Sequence, residues 1–278
     1  MAPNPPFGVT LTYFLAKERP RSATATLEIV DGDARRIRTL DIDRSAGMHR
    51  TTWDLRYEPP FTVERPQEGA GGGGPAAGAP RGPFVLPGEY AVRLTVQGNT
   101  QEVPVTVKPD PLVAITEAER EALHAARLRA WELQRRLNAA VRALEPAKAQ
   151  VEAGREAAAE ARAPEALLAQ AEALAKEVDD LIDRLRGPQG GGFAGAGGGR
   201  RGGPRRPSVQ QRVNTIAGQI DGVTSVPTAY QRQTLEAAAA ELEQALPGVN
   251  DVIGTKLPAL LRALDEAGVP WSPGRAIR

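Results

Sequence analysis

Between Leu86 and Val96 the chain alternates apolar and polar positions. Tyr90, Val92, Leu94 and Val96 fall on one side, with Glu89, Ala91, Arg93 and Thr95 on the other. A period of two predicts a strand with one buried face, and Pro87-Gly88 fixes where it starts. Val9, Leu11, Tyr13 and Leu15 alternate with Thr10, Thr12 and Phe14 in the same way. So do Ala25, Leu27 and Ile29 with Thr24, Thr26 and Glu28, after which Asp31-Gly32-Asp33 predicts a turn into Arg36–Leu40. His49-Arg50-Thr51-Thr52-Trp53-Asp54-Leu55, just after Gly47, is another strand. Gly98-Asn99 then turns into a last one with Val103, Val105 and Val107 on one face. About six or seven short strands at this spacing predict an Ig-like or fibronectin-like β-sandwich.

After Pro109-Asp110-Pro111 the period changes to steps of three and four. Thr116 and Glu119 form a capping box. A helical stripe of Leu123, Ala126, Ala130, Leu133, Leu137, Val141 and Leu144 follows, with Pro146 as a kink or an end, or with the pattern resuming to Val151. Pro164 suits the first turn of a second helix, whose stripe is Leu167, Ala171, Leu174, Val178, Leu181 and Leu185, with Gly187-Pro188 as its stop. Ser208 caps a third helix carrying Val209, Val213, Ile216 and Ile220. Thr228 with Gln231 opens the last helical region, marked by Leu235, Leu242, Leu246, Val249, Ile253, Leu257, Leu260 and Leu264 and split or kinked at Pro247 and Pro258. Such stripes predict an antiparallel bundle. The expected organisation is α+β and multidomain. A sandwich occupies 1–111, with a disordered Gly/Ala/Pro insert at about 67–82. A helical bundle occupies 112–278, with a Gly/Arg-rich linker at about 187–207.

Composition narrows the chemistry. The formal net charge of +1 points to neither nucleic acid nor an anionic membrane, and the chain holds no cysteine, which excludes disulfides and cysteine-bearing zinc sites. No apolar run approaches the roughly 20 residues of a membrane-spanning helix. Met1-Ala2-Pro3-Asn4-Pro5-Pro6 lacks the basic start and apolar core of a signal peptide, which taken alone implies a cytoplasmic product.

Asn4-Pro5-Pro6-Phe7-Gly8, Gly47-Met48-His49-Arg50-Thr51-Thr52-Trp53-Asp54-Leu55-Arg56-Tyr57 and Pro87-Gly88-Glu89-Tyr90 form a series of motifs. It continues through Pro227-Thr228-Ala229-Tyr230-Gln231-Arg232 and Leu257-Pro258-Ala259-Leu260. In these the chain resembles the C-terminal region of bacterial sortilin-like, BNR-repeat β-propeller proteins, often called glycosyl hydrolase-like. The propeller and its Asp-box repeats are absent here. The resemblance implies a secreted or periplasmic setting, a chain that is a C-terminal fragment, a truncated reading frame or a split gene product, and a β-propeller as partner, in cis or in trans, with self-association as a second expectation.

No catalytic set, cofactor site or metal site emerges from the residues. His49 and His124 lie in different expected domains, each without a second ligand at metal spacing. Asp31 and Asp33 fit a hairpin turn better than a glycosidase pair. Asp179, Asp180 and Asp183 lie off the apolar stripe of their helix, and no EF-hand frame surrounds any Asp cluster. Gly197-Gly198-Gly199-Arg200-Arg201-Gly202-Gly203-Pro204-Arg205-Arg206 resembles an RGG segment, yet only Phe193 is near for base stacking, so a linker is favoured over nucleic-acid binding. The candidate ligand or interface aromatics are Trp53, Tyr57 and Phe61, with Trp53 favoured as a core residue over a sugar platform. The expected function is that of a non-catalytic accessory or scaffold module. The alternatives are a carbohydrate- or protein-binding module, or a fragment of a glycoside hydrolase-like enzyme.

Overall fold

Among the described residues, alternation in the N-terminal third yields six strands, and the longer period beyond it yields helices. The chain is mixed α+β, with two antiparallel sheets. A computed structural model describes residues 7–20, 24–62, 80–187 and 207–269. The strands are β1 (Val9–Leu15), β2 (Ala25–Asp31), β3 (Arg36–Leu40), β4 (Gly47–Trp53), β5 (Gly88–Val96) and β6 (Asn99–Val107). The helices are α1 (Glu117–Glu160), α2 (Glu165–Leu185), α3 (Val209–Asp221), α4 (Ala229–Asp251) and α5 (Leu257–Glu266), with a π-helical turn at Val252–Lys256. Most of the insert expected at 67–82 and of the linker expected at 187–207, together with Trp271, lies outside the described residues.

Two compact units form: Met1–Trp131 with Ile220–Pro227, and Glu132–Gln219 with Thr228–Arg278. In the first, β1 pairs with β4 from Val9 opposite Trp53 to Leu15 opposite Gly47. The other four strands run in the order β3-β2-β5-β6. Both sheets contribute to one core. Tyr13, Leu15 and Trp53 come from the first sheet; Leu27, Ile29, Ile37, Leu40 and Val92 come from the second.

The predicted turns form for local reasons. The Asp31 carboxylate accepts from the N–H groups of Asp33 (3.0 Å) and Arg35 (2.9 Å), the short-range bonding that favours Asp in turns. The β5–β6 turn lies one residue earlier than expected: Gln97 and Gly98, not Gly98 and Asn99, join the strands, with φ of 52° and 84° as a two-residue hairpin of the I′ kind requires, and Asn99 opens β6. Val103 departs from expectation. It stays 60% exposed, and only Val105 and Val107 of that trio pack on the core.

In the helices the predicted caps are present. Thr116 N–H donates to the Glu119 carboxylate at 2.9 Å, and Glu119 N–H returns a bond to Thr116 Oγ1 at 3.2 Å. Thr228 and Gln231 form the same reciprocal pair, as do Ser208 and Gln211. Pro164 is the cap residue itself rather than part of the first turn, and Gly187 ends α2 at φ 96°. Pro146 and Pro247 do not end their helices; α1 and α4 run through both.

The apolar stripes are shifted by one residue at three places. Ile182 is buried where Leu181 was expected, Ala245 in place of Leu246, and Val252 in place of Ile253. Helices approach closely at Gly154, where a Cβ would lie 2.8 Å from a Leu264 methyl, the movable end of a flexible side chain.

Candidate functional site

The densest convergence of polar and aromatic groups lies in the first unit, around Arg56. Strand β4 ends at Trp53, and Leu55 turns the chain at φ 59°. Residues 55–57 then run beside residues 83–85: Val85 N–H donates to Leu55 O at 2.9 Å and Tyr57 N–H to Pro83 O at 3.0 Å. Gly82 makes this approach sterically feasible. A Cβ there would fall 2.1 Å from Tyr57 O, so no other residue fits without moving backbone.

That geometry drives the Arg56 side chain inward. The residue is 6% exposed and the only polar or charged one among the buried set described. Its guanidinium gives two parallel bonds to the Asp221 carboxylate, at 2.9 and 3.0 Å, and a third to Gly82 O at 2.7 Å. It also lies over the Phe84 ring, 3.6 Å from the centroid. A planar cation with a forked donor set suits this combination of carboxylate, carbonyl and ring face; lysine could not reproduce it. Arg56 O in turn accepts from the Trp53 indole N–H at 3.0 Å.

A second arginine completes the cluster. Arg127, from α1, donates to Ile220 O (3.0 Å), Asp221 O (3.2 Å) and Val223 O (2.7 Å). These are carbonyls at and just beyond the C-terminus of α3, a helix with no basic residue in its own last turn. Arg127 therefore supplies from another element the cation that a helix C-terminus favours. Burial lowers the Arg127 pKa, Asp221 opposes that shift, and Arg56 adds to it.

The aromatic residues surround this clasp. Tyr57 lies 5.9 Å from the His124 ring and 5.9 Å from the Trp131 ring. Trp131 Nε1–H donates to Glu58 O at 2.8 Å. Burial holds His124 below the ordinary histidine range, with a backbone bond involving Phe84 opposing and the Arg127 charge reinforcing. His124 is thus neutral at pH 7.

Of the three aromatics singled out from the sequence, Trp53 is fully buried, its ring edge-on to Tyr90 at 5.5 Å, so it offers no face to a ligand. Tyr57 and Phe61 are half-buried. Tyr57 joins His124 and Trp131, while Trp53 reaches the cluster through the Arg56 backbone. His49 sits elsewhere, on β4, with Nε2 2.8 Å from Ser45 O and its ring 5.2 Å from that of Tyr13. Among the described residues no group of three or more His, Asp or Glu is placed to hold a metal ion.

Arg56, Phe84, Arg127 and Asp221 were not singled out in the sequence. Arg56 and Asp221 are 165 positions apart, and nothing local marks either as buried or paired. One cue was available: Arg56 interrupts an aromatic-rich run that must turn inward after Trp53.

No family model, curated protein or solved structure matches this chain.

Proposed function

We propose that the chain is a non-catalytic accessory or scaffold module, and that it packs on or presents a β-propeller of a secreted protein. The observation that carries this reading is where the motif residues point. Trp53, Arg56 and Phe84, which lie in or beside the segments resembling the propeller-protein tail, are spent on one another, on Asp221 and on backbone carbonyls, and Tyr57 on the rings of His124 and Trp131. A catalytic or binding constellation keeps polar groups free toward a ligand; here every guanidinium bond of Arg56 goes to the protein itself.

Within this reading the first unit is an Ig-like β-sandwich. Two features support it beyond the shared core. Tyr90, near the start of β5, donates its hydroxyl to Leu86 O at 2.7 Å, as in a tyrosine corner. Burial pushes that phenol up to about 12, so it remains a donor at any ordinary pH. The enclosed Trp53 beside Tyr90 is the second feature. The second unit is then an antiparallel helical bundle, supported by the buried stripes of α2, α4 and α5.

The test is co-sedimentation of the full chain with a BNR-repeat propeller, alongside turnover assays on glycosides, esters, peptides and phosphate esters. Binding without turnover is the expected result. Reproducible hydrolysis lost on mutation of one carboxylate would overturn the proposal, as would failure to bind any propeller tried.

A further inference from the structure

We draw no further inference here: the strongest candidate, the cleft of about 590 Å³ between the C-terminal end of α2 and the first turn of α3, lined among others by Arg184, Ser208, Arg212 and Glu241, carries nothing because Arg212, whose buried Nε lacks an acceptor, is itself ion-paired with Glu241, which leaves the N-terminus of one helix with nothing among the described residues that points to a ligand.

Discussion

The two units keep their shape by different means. In the helical unit the interior is a set of interchangeable aliphatic volumes: Leu133, Leu144, Leu185, Leu242, Leu260 and Leu264 are each almost wholly buried. Its ion pairs lie mostly near the surface, such as Lys148 with Asp179 at 2.6 Å and Lys176 with Asp180. In the strand unit a buried guanidinium with one correct arrangement of partners sits beside the core. Aliphatic packing is forgiving of exchange at constant volume, whereas a buried charge tolerates loss of its partner poorly. One unit is therefore specified by how much space is filled, the other by which atoms meet.

The strongest way to break that contrast is to damage each unit on its own terms. Leu242→Ala leaves a cavity in the helical unit and should cost about 3–5 kcal/mol in chemical denaturation, with Leu242→Met costing far less. Asp221→Ala strands the Arg56 charge. It should cost about 2–4 kcal/mol, the lower end reflecting the 34% exposure of the Asp221 side chain. If Asp221→Ala proves as mild as a surface change, the strand unit is held by volume as well and the contrast fails.

Smaller effects sharpen the comparison. Leu181→Ala should cost about 1–2 kcal/mol, clearly less than Leu174→Ala, because Leu181 is half-buried and Ile182 takes the core position. Lys148→Ala should shift stability by no more than about 0.5 kcal/mol. A cost above that of Leu181→Ala would show that the helical unit also depends on specific ionic contacts.

The smallest expected effect is a pH dependence. Burial lowers the His124 pKa in the folded chain, so the unfolded chain binds a proton more readily. Stability from the neutral ring is fully present above the ordinary value of about 6.5 and is lost as pH falls below it, until the folded ring itself is protonated. Titration of stability between about pH 7 and pH 5 should therefore slope downward toward acid in the wild type. The slope should be shallower in His124→Gln; identical slopes would remove His124 as a cause.

The sequence displayed what is decided locally. Alternation located the strands, and the Thr116, Ser208 and Thr228 caps marked helix starts, because both signals act within a few residues. Proline marked a helix boundary at Pro258, in the first turn of α5, but not at two other positions. Pro146 and Pro247 lie inside continuous helices, where packing on other helices outweighs a missing hydrogen bond. The one-residue shifts at 181/182, 245/246 and 252/253 have a common origin. Neighbouring apolar residues on a helix lie about 100° apart, and the facing helix decides which of the two is enclosed. The candidate site was the least legible part, since Arg56 needs Asp221 and Arg127 needs the carbonyls of residues 220–223, partners that only the completed fold brings near.

The π-helical turn at Val252–Lys256 affects how the chain tolerates change in length. Leu257 N–H bonds to Val252 O, five residues back, so this turn holds one residue more than an α-helical turn would. Elsewhere in α4, deletion of one residue would rotate everything downstream by about 100° and carry Leu260 and Leu264 off their face. Deletion of Gly254 is expected to do the opposite. Gly254 is exposed, with open space around a Cβ, and its loss would let the wide turn relax to an ordinary one with the downstream leucines still facing inward. The helix therefore carries a spare residue, and a length change that is ruinous a turn earlier should be absorbed here.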